Sequence, residues 1–263
     1  MKLKFIKASP CSNTTILILS SHSSKQYSEI AMKVMDYDHL AAEQLGFIVK
    51  PNNSMASLRL EMAGNEFCGN ALISAAALAR RNNLANNDTF FLESSGTDEL
   101  LSCEVKLMGG ENYLVKVQMP SQYDIKNFEI TTNNYNRYTG SLISLPGINH
   151  FVFEGILNET EYESIMTEFV KSVASSAYGI IPFKDCNNGI YEIRPYVYVP
   201  SAKSKIYEKS CGSGSFSLGL MLNAGINKTI QVLQPGGKIT VTTGGKNYLE
   251  ENMFFSCEGN VFI

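Results

Sequence analysis

Apolar and polar residues alternate over much of this chain, and a few stretches with helical spacing interrupt the alternation. Residues 3–6 and 15–19 read as strands joined by the turn Ser9-Pro10-Cys11-Ser12-Asn13, and residues 27–35 carry apolar positions at the spacing of a first helix. Residues 46–49, 57–62, 89–93, 100–107 and 113–119 follow as strands. Among them Val115-Lys116-Val117-Gln118-Met119 alternates as a half-exposed strand should. Pro120-Ser121 and the polar stretch after it mark a linker. The second half repeats the plan, with strands at 142–145 and 151–153, a helix at 159–172 and strands near 191–199. The segment 230–232 then leads through the turn Gln234-Pro235-Gly236-Gly237 into the alternating residues 238–242. Two halves on one plan imply pseudo-twofold symmetry, with an N-terminal domain at 1–120 and a C-terminal domain at 121–252.

Length and composition narrow the class. A chain of 263 residues with 44% hydrophobic and 18% charged residues has ample length for a buried core and the make-up of a soluble globular protein. A net charge of -3 gives no reason to expect nucleic acid or an anionic membrane as partner. Lys2, Lys4 and Lys7 precede only the short apolar run Ile16-Leu17-Ile18-Leu19, too brief for a signal segment, and no stretch approaches a spanning helix. The expectation is a cytoplasmic protein with Cys11, Cys68, Cys103, Cys186, Cys211 and Cys257 as free thiols. With only His22, His39 and His150, and no CxxC or HxxxH spacing, the chain offers no zinc site.

One chemical idea occurs twice. Glu66-Phe67-Cys68-Gly69-Asn70-Ala71 and Lys209-Ser210-Cys211-Gly212-Ser213-Gly214 each set a cysteine before Gly and a small polar residue, then a helical run. A cysteine at a helix start has its thiolate stabilised by the dipole and by backbone N–H groups. Gly at the next position lets that backbone approach an anion such as a carboxylate. Two such sites facing one another would set a sulfur on each side of a carbon acid. A lone Cys beside Gly is ordinarily a packed small residue, and Cys11, Cys103, Cys186 and Cys257 are read that way. The duplicated context sets Cys68 and Cys211 apart. His150, beside Phe151-Val152-Phe153, reads equally as a core histidine, Glu208 as a helix-start acid and Asn13 as a turn residue. The Gln-Pro-Gly-Gly segment is a hairpin turn first, and a binding loop only if the fold aims it at the site.

These motifs resemble the diaminopimelate epimerase superfamily of two-cysteine racemases and epimerases over essentially the full length. The residues 5–13, Glu43-Gln44-Leu45-Gly46-Phe47, Asn149-His150 and Gln234-Pro235-Gly236-Gly237 carry the resemblance beside the two cysteine motifs. It implies an α+β fold of two pseudo-symmetric domains, each a strand-rich, barrel-like sheet around a central helix, with the active site in the interdomain cleft. A C-terminal strand at about 253–263 would return to the first domain. The resemblance implies Cys68 and Cys211 as catalytic residues. It implies Asn13, Gln44, Gly69, Asn70, His150, Glu208, Gly212 and Ser213 as substrate-binding residues, an amino-acid substrate, and neither cofactor nor metal. A homodimer is left open.

Departures from diaminopimelate epimerase bear on the substrate. The segment Tyr207-Glu208-Lys209-Ser210-Cys211 lacks the family's Arg, Ala177 stands where a distal-carboxylate Asn would, and Arg59 replaces another such Asn. A buried carboxylate without its donors costs a few kcal/mol, so diaminopimelate should bind poorly. The residues 62–71, 43–47, 117–120, 208–214 and 234–237 resemble instead the histidine racemases of staphylopine-type metallophore biosynthesis. Diaminopimelate epimerase or a broad-specificity racemase is the alternative. A non-catalytic amino-acid binder would not need both thiols, and a phenazine-biosynthesis-type isomerase lacks the cysteine pair.

Overall fold

The structure, a computed structural model, describes residues 1–85, 87–200, 204–223 and 227–263. The chain divides into two compact units, Met1–Pro120 with Tyr248–Ile263, and Ser121–Asn247. The first contains β1 (Lys2–Pro10), β2 (Thr15–Ile18), α1 (Tyr27–Met35), β3 (Gln44–Val49), β4 (Ala56–Met62), α2 (Gly69–Arg81), β5 (Thr89–Ser94), β6 (Leu101–Gly109) and β7 (Asn112–Gln118). The second contains β8 (Asp124–Thr131), β9 (Arg137–Leu145), β10 (Ile148–Glu154), α3 (Glu159–Ser172), β11 (Tyr178–Asp185), β12 (Ile190–Ile193), β13 (Tyr196–Val199), β14 (Ser204–Tyr207), α4 (Gly212–Asn223), β15 (Lys228–Gln234) and β16 (Gly237–Thr243). The last strand, β17 (Tyr248–Phe262), belongs to the first unit.

In the first unit the strand pairings close on themselves. β1 pairs antiparallel with β2, β2 parallel with β3, β3 antiparallel with β4 and β4 parallel with β5. β5, β6, β7 and β17 continue antiparallel, and β17 returns to β1. Alternation selects the inward face: Ala56, Leu58, Leu60 and Met62 of β4 are buried, whereas Ser57, Arg59 and Glu61 are half-exposed. Helix α2 is buried from Gly69 through Ala79 and packs against β1, β2, β3, β4, β6, β7 and β17. Its alanines leave almost no side-chain bulk, so strands approach it from every side. Amphipathic α1 instead buries one stripe, Tyr27, Ile30, Ala31 and Val34, with Leu3, Ile16, Ile18 and Phe47.

In the second unit β8, β9 and β10 run antiparallel in sequence, and β10 pairs parallel with β11. β11 pairs antiparallel with both β12 and β13, β13 continues to β14, and β12 pairs parallel with β15 beside β16. Helix α3 opens on a capping box. Asn158 Oδ1 accepts from Glu161 N at 3.1 Å, and Glu161 Oε2 accepts from Asn158 N at 2.8 Å. Its stripe Tyr162, Ile165, Met166 and Phe169 packs on Phe151, Phe153, Tyr178 and Ile180. Helix α4, apolar nearly all round, is buried and packs against β9, β10, β11, β15 and β16. No helix among the described residues is long and apolar enough to cross a membrane.

Three points of the reading change. The polar stretch after Pro120 is not a loop, since residues 124–131 form β8. Most of its side chains are exposed and its order comes from main-chain pairing with β9, so it carries no apolar alternation. The strands expected near 191–199 are present as β12 and β13, parted at Pro195, which lacks the N–H that a continuous ladder needs. β11 was not anticipated: it is a run buried on both faces, with Gly179 and Pro182 inside it, and so shows no period-two signal. β17 begins at Tyr248, not near 253, because Leu249 and Glu251 turn inward beside Val117 and Val115 of β7.

Candidate active site

The first cysteine centre is assembled where β4 runs into α2. Cys68 is the N-cap of α2, with extended φ −135° and ψ 114°, and its sulfur accepts from Ala71 N at 3.4 Å. Leu72 N donates to Cys68 O at 2.9 Å, which closes the first helical turn behind it. Gly69 and Asn70 therefore lie in the first turn, whose backbone N–H groups form the positive end of the dipole. The Cys68 thiol donates to Gln44 Oε1 at the head of β3. The connection between β1 and β2 delivers Asn13: Glu43 N and Gln44 N both donate to Thr14 O, at 3.0 and 3.1 Å, and Asn13 Nδ2 donates to Glu43 Oε2 at 2.9 Å. Cys68 and Gln44 are thus in direct contact, while Asn13 joins the cluster through Glu43.

A turn at the end of β5 holds this loop. Ser95 Oγ accepts from Met62 N at 2.9 Å and donates to Glu66 O at 2.7 Å. Gly96, at φ +74°, lies so close that a Cβ there would meet Phe67 N at 2.3 Å.

The second centre sits at the head of α4 and is drier. Cys211 is 3% exposed, and its sulfur accepts from Gly214 N at 3.3 Å and lies 3.5 Å from Ser213 Oγ. Ser213 is bonded in turn to His150 Nε2 at 2.9 Å. His150 is wholly buried and packs on Gly179, its register partner across β10 and β11. Ser213 links it to Cys211. Burial pushes its imidazole down to about 3, so the ring is neutral and not a base at physiological pH. Burial, first, and then the charge and hydrogen bonding of Glu208 push the Cys211 thiol well above its ordinary range. Ser213 and the Gly214 N–H oppose them. A helix start was expected to favour the thiolate; at Cys211 the loss of water outweighs it.

The fold aims the Gln-Pro-Gly-Gly turn at this centre, a role the sequence left conditional. The Gln234-Pro235-Gly236-Gly237 segment is the β15–β16 hairpin turn, and it also reaches the cysteine. Gln234 Oε1 accepts from Cys211 N at 2.7 Å, Gln234 Nε2 donates to Ser215 Oγ at 2.9 Å, and Gly236 N donates to Lys209 O at 2.7 Å. The signal was present in the pattern, since Ile230, Val232 and Gln234 share the buried face of β15 and an amide on that face needs partners. Arg59 is not turned to a ligand role: it pairs with Glu61 at 3.1 Å and Glu93 at 3.6 Å.

The fold is shared with solved structures of other proteins. A probable proline racemase from Agrobacterium radiobacter K84, solved with bound carbonate, superposes with TM-score 0.70 at 9% identity, over 98% of this chain and 92% of that one. A phenazine biosynthesis protein of the PhzF family from Bacillus anthracis gives TM-score 0.68 at 12% identity over all of both chains. The sequence carries the assignment further. Residues 2–263 match the family described as the histidine racemase CntK N-terminal domain. A histidine racemase of Fusobacterium nucleatum subsp. nucleatum is 34% identical over 99% of this chain and 97% of its own length. The chain belongs to the histidine racemase family.

Proposed function

We propose that this protein interconverts L- and D-histidine with Cys68 and Cys211 as its two bases. The observation that carries the reading is the pair of cysteines heading α2 and α4, each with its sulfur accepting an N–H from its own helix start. Membership of the histidine racemase family supports the choice of amino acid. In the reading, the substrate α-carboxylate lies on the backbone N–H groups of Gly69-Asn70 and Gly212-Ser213, and Asn13, Gln44 and Glu208 receive its ammonium. One cysteine, as thiolate, takes the α-proton and becomes a thiol; the other, as thiol, protonates the opposite face of the carbanion and becomes a thiolate. Mass and charge balance within the pair, and the reverse reaction restores the starting protonation. The two helix dipoles stabilise charge developing on the carboxylate as the carbanion forms. His150, held neutral, contributes position and not proton transfer.

The order of elements supports reading the units as two copies of one plan. In the first, β2–α1–β3 and β4–α2–β5 are parallel crossovers; in the second, β10–α3–β11 is one, and α4 lies in the connection from β12 to its parallel partner β15. The reading requires both helix starts to reach one substrate carbon and both thiols to stay reduced, which favours a reducing compartment such as the cytoplasm. Arg59, engaged by two carboxylates, leaves the distal group of diaminopimelate without that donor.

The test is incubation of the reduced protein with each L-amino acid in heavy water, following loss of the α-proton and appearance of the D-enantiomer. Histidine is expected to exchange and racemise with the highest kcat/KM. A higher value for diaminopimelate, or similar values across many amino acids, overturns the assignment of substrate.

A further inference from the structure

We propose that Gln234 is a positioning residue for Cys211, closing a one-directional ring of hydrogen bonds around that residue's own peptide groups. The sense of the ring follows from donor chemistry. A backbone N–H can only donate, so the Gln234 oxygen must face Cys211 N, 2.7 Å away. The amide nitrogen then faces Ser215 Oγ at 2.9 Å and donates to it. The Ser215 hydroxyl is thereby left to donate to Cys211 O at 2.8 Å. Each link fixes the next, and the last returns to the residue where the first began. Gln234, Ser215 and Cys211 are all buried, so water does not substitute for a missing link.

The ring grips the backbone from which the sulfur hangs, and so sets where the thiol meets its partners, Glu208 among them. Sγ is fixed by the Cys211 backbone conformation, and from there it meets Gly214 N at 3.3 Å and Ser213 Oγ at 3.5 Å. The same hairpin turn pins the chain just upstream, where Gly236 N donates to Lys209 O at 2.7 Å. Loosening the ring lets the Cys211 peptide rotate and moves the sulfur away from both partners. Gln234 has no part in proton transfer; it acts through where it holds Cys211.

This inference rests on Cys211 being one of the two bases, and it is tested by a readout that does not need turnover. Gln234→Met keeps the length of the side chain and removes both bonds. Gln234→Glu keeps an acceptor for Cys211 N, but donates to Ser215 only when protonated. Ser215→Ala opens the ring at its other side. For each variant, the rates at which Cys68 and Cys211 are alkylated by iodoacetamide are followed against pH by peptide mass spectrometry, beside racemisation of histidine. The expected result for Gln234→Met is a displaced pH profile at Cys211 with Cys68 unchanged, and racemisation lower by about 100-fold, the effect of a misplacement near an ångström. For Gln234→Glu, the ratio of variant to wild-type rate should rise as the pH falls, because the acid form restores the ring. Unchanged Cys211 alkylation in folded Gln234→Met and Ser215→Ala overturns the proposal, as does an equal change at both cysteines. Should the methionine variant not fold, the pH response of Gln234→Glu decides, and a flat ratio overturns the proposal. If wild type does not racemise histidine but Cys211 alkylation still shifts, the substrate assignment fails and the ring stands.

Discussion

Gly179→Ala places a methyl group where the fold has left room for a ring. The new Cβ would sit 2.0 Å from His150 Nδ1 and 2.5 Å from His150 Cε1, and neither partner has an easy way out. His150 is wholly buried on β10, Gly179 is its register partner on β11, and both strands are central. The ring must therefore tilt, which strains the packing and breaks the bond from His150 Nε2 to Ser213 Oγ. Overpacking of a core and loss of one hydrogen bond together cost about 2–4 kcal/mol. A Gly245→Ala control, where an added Cβ meets nothing within 4 Å, should stay within about 0.5 kcal/mol of wild type. The assay is urea unfolding of wild type, Gly179→Ala, His150→Ala and the double variant. The double variant removes the clash, so it should be more stable than the sum of the single changes by about 1–3 kcal/mol. Racemisation should fall in Gly179→Ala, since Ser213 loses the group that orients it beside Cys211. Additive stabilities, or a Gly179→Ala protein as stable as the control, would refute the reasoning.

Cys68→Ser and Cys211→Ser should each lower racemisation by at least about 1000-fold, because a hydroxyl is a far weaker base than a thiolate; near-wild-type turnover in either variant ends the two-base reading. Glu251, buried on β17, is a carboxyl raised to about 7 chiefly by burial, which the Cys11 thiol beside it offsets only in part. Its folded value lies above the unfolded one, so the native state holds the extra proton and stability falls as pH rises between about 4.5 and 7. Glu251→Gln should therefore be more stable than wild type by about 3 kcal/mol above that window and lose its advantage below it; denaturation midpoints of both proteins across pH check this, and a constant difference would contradict it.

How much of the molecule can be read from sequence follows from the range of the interactions involved. Helices 27–35 and 159–172 appear in the structure with those bounds because their signals are local: an apolar stripe at helical spacing and, for α3, a capping box. The two cysteine motifs read correctly as helix starts for the same reason. Cap residue, glycine and helical run are neighbours in the chain, and Cys68 does cap α2. β8 was illegible because its exposed side chains carry no alternation, and β11 because burial on both faces removes it.

The two helix-start cysteines and most of the alternating strands are legible in the chain alone, since each rests on residues within one or two turns of one another, and the class follows from several such local motifs spread over its length. What surrounds each sulfur is set by contacts between distant parts of the chain. Cys68 meets Gln44 from another strand, and Cys211 is held by Gln234 across a separation of 23 residues. His150 comes to Ser213 across 63 residues, because β10 and the head of α4 pack together. Burial, too, is a property of the packed chain. It makes His150 neutral and raises the Cys211 thiol, reversing what the helix dipole alone led one to expect. A residue's neighbours along the chain set its conformation, but the water it loses depends on everything that folds around it.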